Sequence, residues 1–148
     1  MNLSFRIKHR FFSAFREIFV HHHGSLEFRA KIFALMIAAN EQPKVENFIL
    51  VKKLALQIYV GDKDRANLLL LTTKELVEKV KSKNSLNLDL LVTTIQKELK
   101  IVPRYAKKID IKSLKGFFDF CNDEDTLAYQ KNIVEFLENL QEETRKNN

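Results

Sequence analysis

The chain has 148 residues, 45% hydrophobic and 30% charged, a balance typical of one globular domain with a hydrophobic core. Three glycines and two prolines are too few turn-forming residues for an all-β protein of this length, so helices are expected throughout. The net charge of +6 comes from basic residues that interleave with acidic ones, which disfavours a continuous nucleic-acid-binding face.

The first 20 residues, MNLSFRIKHRFFSAFREIFV, predict an amphipathic helix with a basic polar face. Apolar side chains fill about half of its circumference, so the rest of the domain, a second subunit or lipid has to cover them. Packing within the protein or in a homodimer is preferred over an anionic membrane surface, because one Phe-rich helix can complete a small helical core. The expected contact residues are Phe5, Arg6, Arg10, Phe11, Phe12, Phe15, Arg16 and Phe19.

This segment, 1–24, is predicted to precede a helical domain over 25–148. Gly24 is expected to close the first helix in the left-handed conformation, and Ser25 to cap the next one. The run KIFALMIAA, apolar almost all round, marks a central core helix over 26–39. A further helix is predicted over 45–59, with Phe48, Val51, Leu54, Ala55 and Ile58 on its buried face.

The remaining chain predicts four more helices and one short helical turn. Asp62 is a candidate N-cap for RANLLLLTTKELVEKVKSK, which forms one long helix or two joined near Thr72. Ser85 or Asn87 caps the next helix, which Pro103 ends, and RYAKK forms a short helical turn. Asp110 or Ser113 caps a segment that reaches Cys121, and the last helix runs over about 125–143. The prediction is a single all-α domain of about seven helices.

Two segments of the chain share one plan: FALMIAANEQPKVENFILVKKLALQI and KGFFDFCNDEDTLAYQKNIVEFLENL. In each, an apolar helix ends in a small residue and Asn, and a short acidic elbow leads into an amphipathic helix. The two asparagines, Asn40 and Asn122, are 82 positions apart. A repeated unit of this kind predicts an internal pseudo-twofold.

This plan resembles the TerB-like family, the all-helical domain of tellurite-resistance proteins that also occurs within membrane-anchored J-domain co-chaperones. The likeness covers roughly residues 26–143. It places Asn40 at the family's Asp, Glu41 at its Gly and Glu46 at the Glu that opens the following helix. The resemblance implies a non-catalytic helical domain that works in stress response or beside chaperones.

The acidic elbows are the candidate metal site. If the two halves pack together, the elbow carboxylates could converge, and Ca²⁺ and Mg²⁺ prefer several oxygen ligands. The competing interpretation is that the asparagines end helices, while the acids cap or complement helix N-termini. The candidate metal ligands are Glu41, Glu46, Asp123, Glu124 and Asp125.

Other reactive side chains give weaker signals. His21, His22 and His23 are adjacent but do not preorganise a metal site. Cys121, the only cysteine, excludes an internal disulfide and is interpreted as a small buried hydrophobe, because the acidic elbow raises a thiol pKa. The sequence contains no phosphate-binding glycine loop and no serine-centred elbow, so it predicts no enzyme.

Three functions follow as hypotheses, all for a protein expected in the cytoplasm. The first is a TerB-like interaction domain that binds a protein partner. The second is a peripheral membrane protein held at the inner membrane surface by its N-terminal helix. The third, a DNA-binding regulator, is disfavoured because lysines and acids interleave over 74–115.

Overall fold

The computed structural model describes residues 24–83 and 86–147, of which 83% are helical. Within those ranges the chain forms six α-helices and two 3₁₀-helices, and no strand. The α-helices are α1 (Gly24–Ala38), α2 (Val45–Ile58), α3 (Lys63–Lys81), α4 (Leu88–Ile101), α5 (Ile111–Leu114) and α6 (Glu124–Lys146). The 3₁₀-helices are η1 (Pro103–Lys108) and η2 (Lys115–Phe120). Because α5 runs directly into η2, these elements make seven helical segments, and the all-helical prediction is confirmed.

Helix α1 is the centre of the fold. Ten of its 15 residues are buried, and it packs against α3, α4, α6 and η1, most extensively against α3. One of its few polar side chains has a specific partner: the ammonium of Lys31 forms a half-buried salt bridge with Glu98 of α4. The predicted central core helix is therefore present, because a helix that is apolar all round has to be covered on every side.

Three of the six α-helices begin at a side-chain cap that the sequence predicts. The carboxylate of Asp62 accepts a hydrogen bond from the backbone N–H of Arg65 at 3.1 Å, and Asn87 accepts one from Leu90 at 2.8 Å. Asp110 caps α5 through the N–H of Ser113. Helix α3 continues without a break through Thr72 and Thr73, and the hydroxyl of Thr73 donates to the carbonyl of Leu69 at 2.8 Å.

Gly24 does not close a helix, which corrects the prediction made for it and for Ser25. It is the first residue of α1, so the boundary proposed between 24 and 25 falls inside a helix, and Ser25 lies within α1. Among the glycines of the described ranges, only Gly61 has a positive φ, at 78°. Gly24 is instead needed for space, because a Cβ there would lie 2.5 Å from the hydroxyl oxygen of Tyr105.

The second copy of the repeated plan differs from the first in its leading helix. Where α1 is a long α-helix, the corresponding segment is the four-residue α5 followed by η2. At Gly116, η2 comes close to α2, and an added Cβ would lie 3.2 Å from Leu50 Cδ2. The pseudo-twofold therefore stays a prediction, while the order of helix, elbow and helix is present in both halves.

No helix in the two described ranges has both the length and the apolar character needed to cross a membrane.

Candidate functional site

The two predicted elbows lie against each other. The side-chain amide of Asn122, in the second elbow, donates to the backbone carbonyl of Gln42 in the first, at 3.5 Å. A buried side chain reinforces this contact: Gln130 of α6 donates to the carbonyl of Met36, near the end of α1, at 2.9 Å. Residues 80 and 94 positions apart in sequence are thus joined at one end of the molecule.

The first elbow is organised around Asn40 and Lys81. The buried side chain of Asn40 accepts a hydrogen bond from the N–H of Gln42 at 3.1 Å, which closes the turn after α1. The ammonium of Lys81, in the last turn of α3, donates to the carbonyl of Ala38 at 3.0 Å and to that of Asn40. A cation from the protein therefore satisfies the carbonyl oxygens at the C-terminus of α1.

In the second elbow, Asp123 is a helix cap. Its carboxylate accepts a hydrogen bond from the backbone N–H of Thr126 at 2.6 Å, so α6 starts immediately after it. That hydrogen bond is the main reason why the pKa of Asp123 is lowered. The sequence analysis gives Asp123 as a candidate metal ligand, whereas its contacts in the structure are those of an N-cap.

The five candidate metal ligands are not assembled into a cluster. Glu46 lies in the first turn of α2, and Glu124 and Asp125 in the first turn of α6, where carboxylates complement the helix dipole. The exposed side chain of Glu41 lies near Lys81, whose pKa it raises against the larger lowering by burial. Across the described parts of the chain, no three His, Cys, Asp or Glu residues are placed to hold a metal ion.

Cys121 is half-buried beside this elbow. Its thiol lies 2.8 Å from the side-chain oxygen of Gln130, to which it donates. Burial, and then the carboxylate of Asp123, raise the thiol pKa, while Lys44 acts in the opposite direction. These contacts agree with the expectation of an unreactive thiol.

The predicted membrane or partner residues of the N-terminal segment lie outside the described residues, as do the three adjacent histidines. They are Phe5, Arg6, Arg10, Phe11, Phe12, Phe15, Arg16, Phe19, His21, His22 and His23.

A surface that the sequence analysis missed lies on the outer face of α2. Four apolar side chains there are exposed: Val45 (65%), Ile49 (61%), Leu56 (41%) and, just beyond the helix, Val60 (83%). We call these four residues the α2 stripe. Their spacings of four and seven positions place Val45, Ile49 and Leu56 within about 40° of one another around the helix axis, and Val60 lies in the turn that follows the helix. The signal was present in the sequence, since α2 carries apolar residues on two faces and only one can face the core.

The core face of α2 is the one predicted. Val51, Leu54 and Ala55 are buried, and Phe48 and Ile58 are partly buried against the core. The α2 stripe is thus additional apolar surface.

Two exposed lysines border the α2 stripe. At 100° per residue, Lys52 projects on one side of the stripe and Lys53 on the other. A narrow apolar strip between two cations is complementary to an amphipathic segment with acidic residues beside its apolar face.

Comparisons of the chain with protein families, with curated proteins and with solved structures find no match.

Proposed function

We propose that this protein is a non-catalytic helical interaction domain that binds an acidic amphipathic helix of a partner protein through the α2 stripe. The observation that carries the proposal is the row of three exposed apolar side chains on one face of α2, with exposed Val60 just beyond the helix. Large exposed apolar side chains occur singly on most protein surfaces, whereas an aligned row of them is typical of a binding face.

The stripe has the geometry of a helix-docking surface. Covering a Val, Leu or Ile side chain that is otherwise in water contributes roughly 1.5–3 kcal/mol when burial is complete, so the stripe can supply a useful share of a binding free energy. The flanking Lys52 and Lys53 favour a partner helix with carboxylates beside its apolar row. They would also accelerate encounter with an acidic partner, as does the net charge of +6.

The biological setting is proposed on the TerB-like resemblance alone. That resemblance points to stress response or to work beside a chaperone. The membrane-bound and DNA-binding hypotheses have no support from the α2 stripe, because both need a basic surface more extensive than two lysines.

Photo-crosslinking at the stripe tests the proposal. A photoreactive amino acid placed at Lys53 of the full chain in its native cell should capture a partner, and sequencing of the cross-linked peptide should show an acidic amphipathic helix. The double variant Ile49→Asp with Leu56→Asp should abolish this cross-link, because it places charge where apolar contact is required.

The matched control is Leu90→Asp with Ile101→Asp, which changes two exposed apolar residues of α4 and should leave the cross-link unchanged. Both double variants should retain the melting temperature of the wild type. The proposal fails if the captured peptide comes from a second copy of this chain, or if capture is equal in both double variants.

A further inference from the structure

A cleft of about 380 Å³ lies on the opposite side of α2 from the stripe. Its floor is formed by core side chains of α1 and α2, among them Phe33 and Leu54, and its walls by the segment after η1, by α5 and by the end of α6. Its volume is within the range of small-molecule sites in proteins. The cleft shares no residue with the α2 stripe, so its role is independent of the function proposed above.

The rim of the cleft is strongly basic. Arg29, Lys107, Lys108 and Arg145 line it, against one carboxylate, that of Asp110. Both oxygens of Asp110 are engaged by Ser113, one with its N–H at 3.3 Å and the other with its hydroxyl at 2.7 Å. None of the four basic side chains forms a salt bridge with a carboxylate of the described residues. Their positive charge is therefore poorly compensated by the residues that the structure describes.

Arg29 is the most constrained of these cations. Its guanidinium lies 5.8 Å from the ring centre of Tyr59, over which Arg65 also lies, at 4.8 Å. The Nε of Arg29 is buried and has no hydrogen-bond partner among the described atoms. Burial lowers the pKa of Arg29, and so does Arg65, while Tyr59 and Asp110 act against them. A buried donor without an acceptor is costly, and an anionic ligand beside this guanidinium would reduce that cost.

Lys108 also lies close to other cations of the cleft. Burial lowers the pKa of Lys108, and Arg29, Arg104 and Lys107 lower it further. The backbone here is held in place by Gln141 of α6, whose amide donates to the carbonyls of Ala106 and Ile109, both at 2.8 Å. The backbone that carries Lys107 and Lys108 is thus fixed, and cations from three elements line one cleft before any ligand arrives, an arrangement that favours binding.

We propose that this cleft binds the phosphate group of a small phosphorylated molecule. A phosphate carries up to two negative charges and three acceptor oxygens, so it can engage cations that approach from α1, η1 and α6 together. A carboxylate, with one charge and two oxygens, would satisfy fewer of them. The apolar floor next to Phe33 provides contact surface for the organic part of the ligand.

Binding can be measured on the full chain with two defined probes, phenyl phosphate and benzoate, at constant ionic strength. Titrations followed by calorimetry and by the thermal midpoint should show that phenyl phosphate binds and that benzoate binds at least about tenfold more weakly. Equal affinities would overturn the assignment of a phosphate site, and so would the absence of phenyl phosphate binding at millimolar concentration.

Variants of exposed rim residues locate the site without risk to the fold. Lys107→Met and Arg145→Met should each weaken phenyl phosphate binding by about three- to tenfold, because each removes one cation from the rim. Lys112→Met removes an exposed lysine that does not line the cleft and should leave the affinity unchanged. Equal affinities in all three variants would place the probe elsewhere and overturn the proposal.

A third arm distinguishes a free ligand from a lipid headgroup. Vesicles of phosphatidylcholine with a fifth of phosphatidic acid serve as the lipid probe. Sedimentation with these vesicles that is lost in Arg145→Met, together with no binding of phenyl phosphate, would overturn the assignment to a small molecule. Phenyl phosphate binding that the same variant weakens supports it.

Discussion

Asp123 has two roles: it caps a helix, and it raises the pKa of the neighbouring Cys121 thiol. Asp123 caps α6. The pKa of the nearby thiol is raised mainly by burial of the thiol and, as the second cause, by the carboxylate of Asp123. Asparagine is as good an N-cap as aspartate but carries no charge. The two roles of this residue can therefore be separated by one substitution.

Asp123→Asn should make Cys121 react faster with iodoacetamide. A raised thiol pKa means less thiolate at a given pH, and only the thiolate reacts, so removing the carboxylate lowers the pKa and moves the pH profile of alkylation to lower pH. At pH 8 we expect an increase in rate of about twofold, measured by mass spectrometry of the folded protein. Lys44→Gln should slow the reaction, because Lys44 lowers the same pKa.

The control for that experiment is Glu124→Gln, which neutralises the adjacent acid that has no part in the thiol pKa shift. Identical pH profiles for wild type and Asp123→Asn would contradict the electrostatic account.

At the scale of elements, the last turn of α3 contains two lysines with different roles. Lys81 reaches the end of α1 and donates to the carbonyl of its last residue, Ala38, and to that of Asn40 in the elbow, whereas Lys79 forms an i,i+4 pair with Glu75 of its own helix at 3.4 Å. The first contact joins two helices that are distant in sequence. The second is a surface pair of the kind that contributes little to stability.

Lys81→Met should therefore lower the free energy of unfolding by about 1–2 kcal/mol, because it leaves the carbonyls of Ala38 and Asn40 without their charged donor. Lys79→Met should change it by less than about 0.5 kcal/mol. Urea unfolding followed by circular dichroism gives both values. Equal effects of the two substitutions would show that the cap on α1 does not stabilise the fold.

The ends of the helices show which features of the fold could be predicted from the sequence and which could not. Helix starts were predictable at Asp62, Asn87 and Asp110, because capping is a local interaction between residues three positions apart. Gly24 was misinterpreted, since the reason for a glycine there is Tyr105, which is 81 positions away in sequence. A local pattern carries no information about such a contact.

The elbows and the basic cleft also differ in how far the sequence indicates them. The sequence offered a contact between the elbows on the condition that a repeat packs about a pseudo-twofold, which stays a prediction, while the elbows themselves are joined by the hydrogen bond from Asn122 to Gln42. The capping interactions of the elbows compete for the same carboxylates that a metal would need. The basic cleft had no sequence signal at all, because Arg29, Lys108 and Arg145 come from separate parts of the chain and meet only through tertiary packing.

At the scale of the molecule, the central position of α1 predicts cooperative unfolding. Leu35 is 1% exposed, and the helix that carries it packs against helices from both halves of the chain, so a cavity at this position should destabilise the whole domain. Leu35→Ala should lower the free energy of unfolding by about 2–5 kcal/mol. Tyrosine fluorescence and far-ultraviolet circular dichroism should shift together, because a single core supports a single transition.

Ile101→Ala, at a residue of α4 that is 77% exposed, is the control, and its effect should stay within about 0.5 kcal/mol. Two separated transitions in the Leu35→Ala variant would show that the helices form more than one cooperative unit.

Because the surface of α1 is apolar almost all round, something other than hydrophobic packing has to fix the rotation of this helix about its own axis. A helix that is apolar all round gains similar burial energy at many angles about its own axis, so hydrophobic packing alone selects no single angle. The pairing of Lys31 with Glu98 and the hydrogen bond from Gln130 to Met36 are each satisfied at only one of those angles. Turning α1 by one residue would leave an ammonium or an amide in the interior without its partner. These few polar contacts therefore select one angular orientation of the central helix, and with it the single arrangement in which Arg29 faces the cleft.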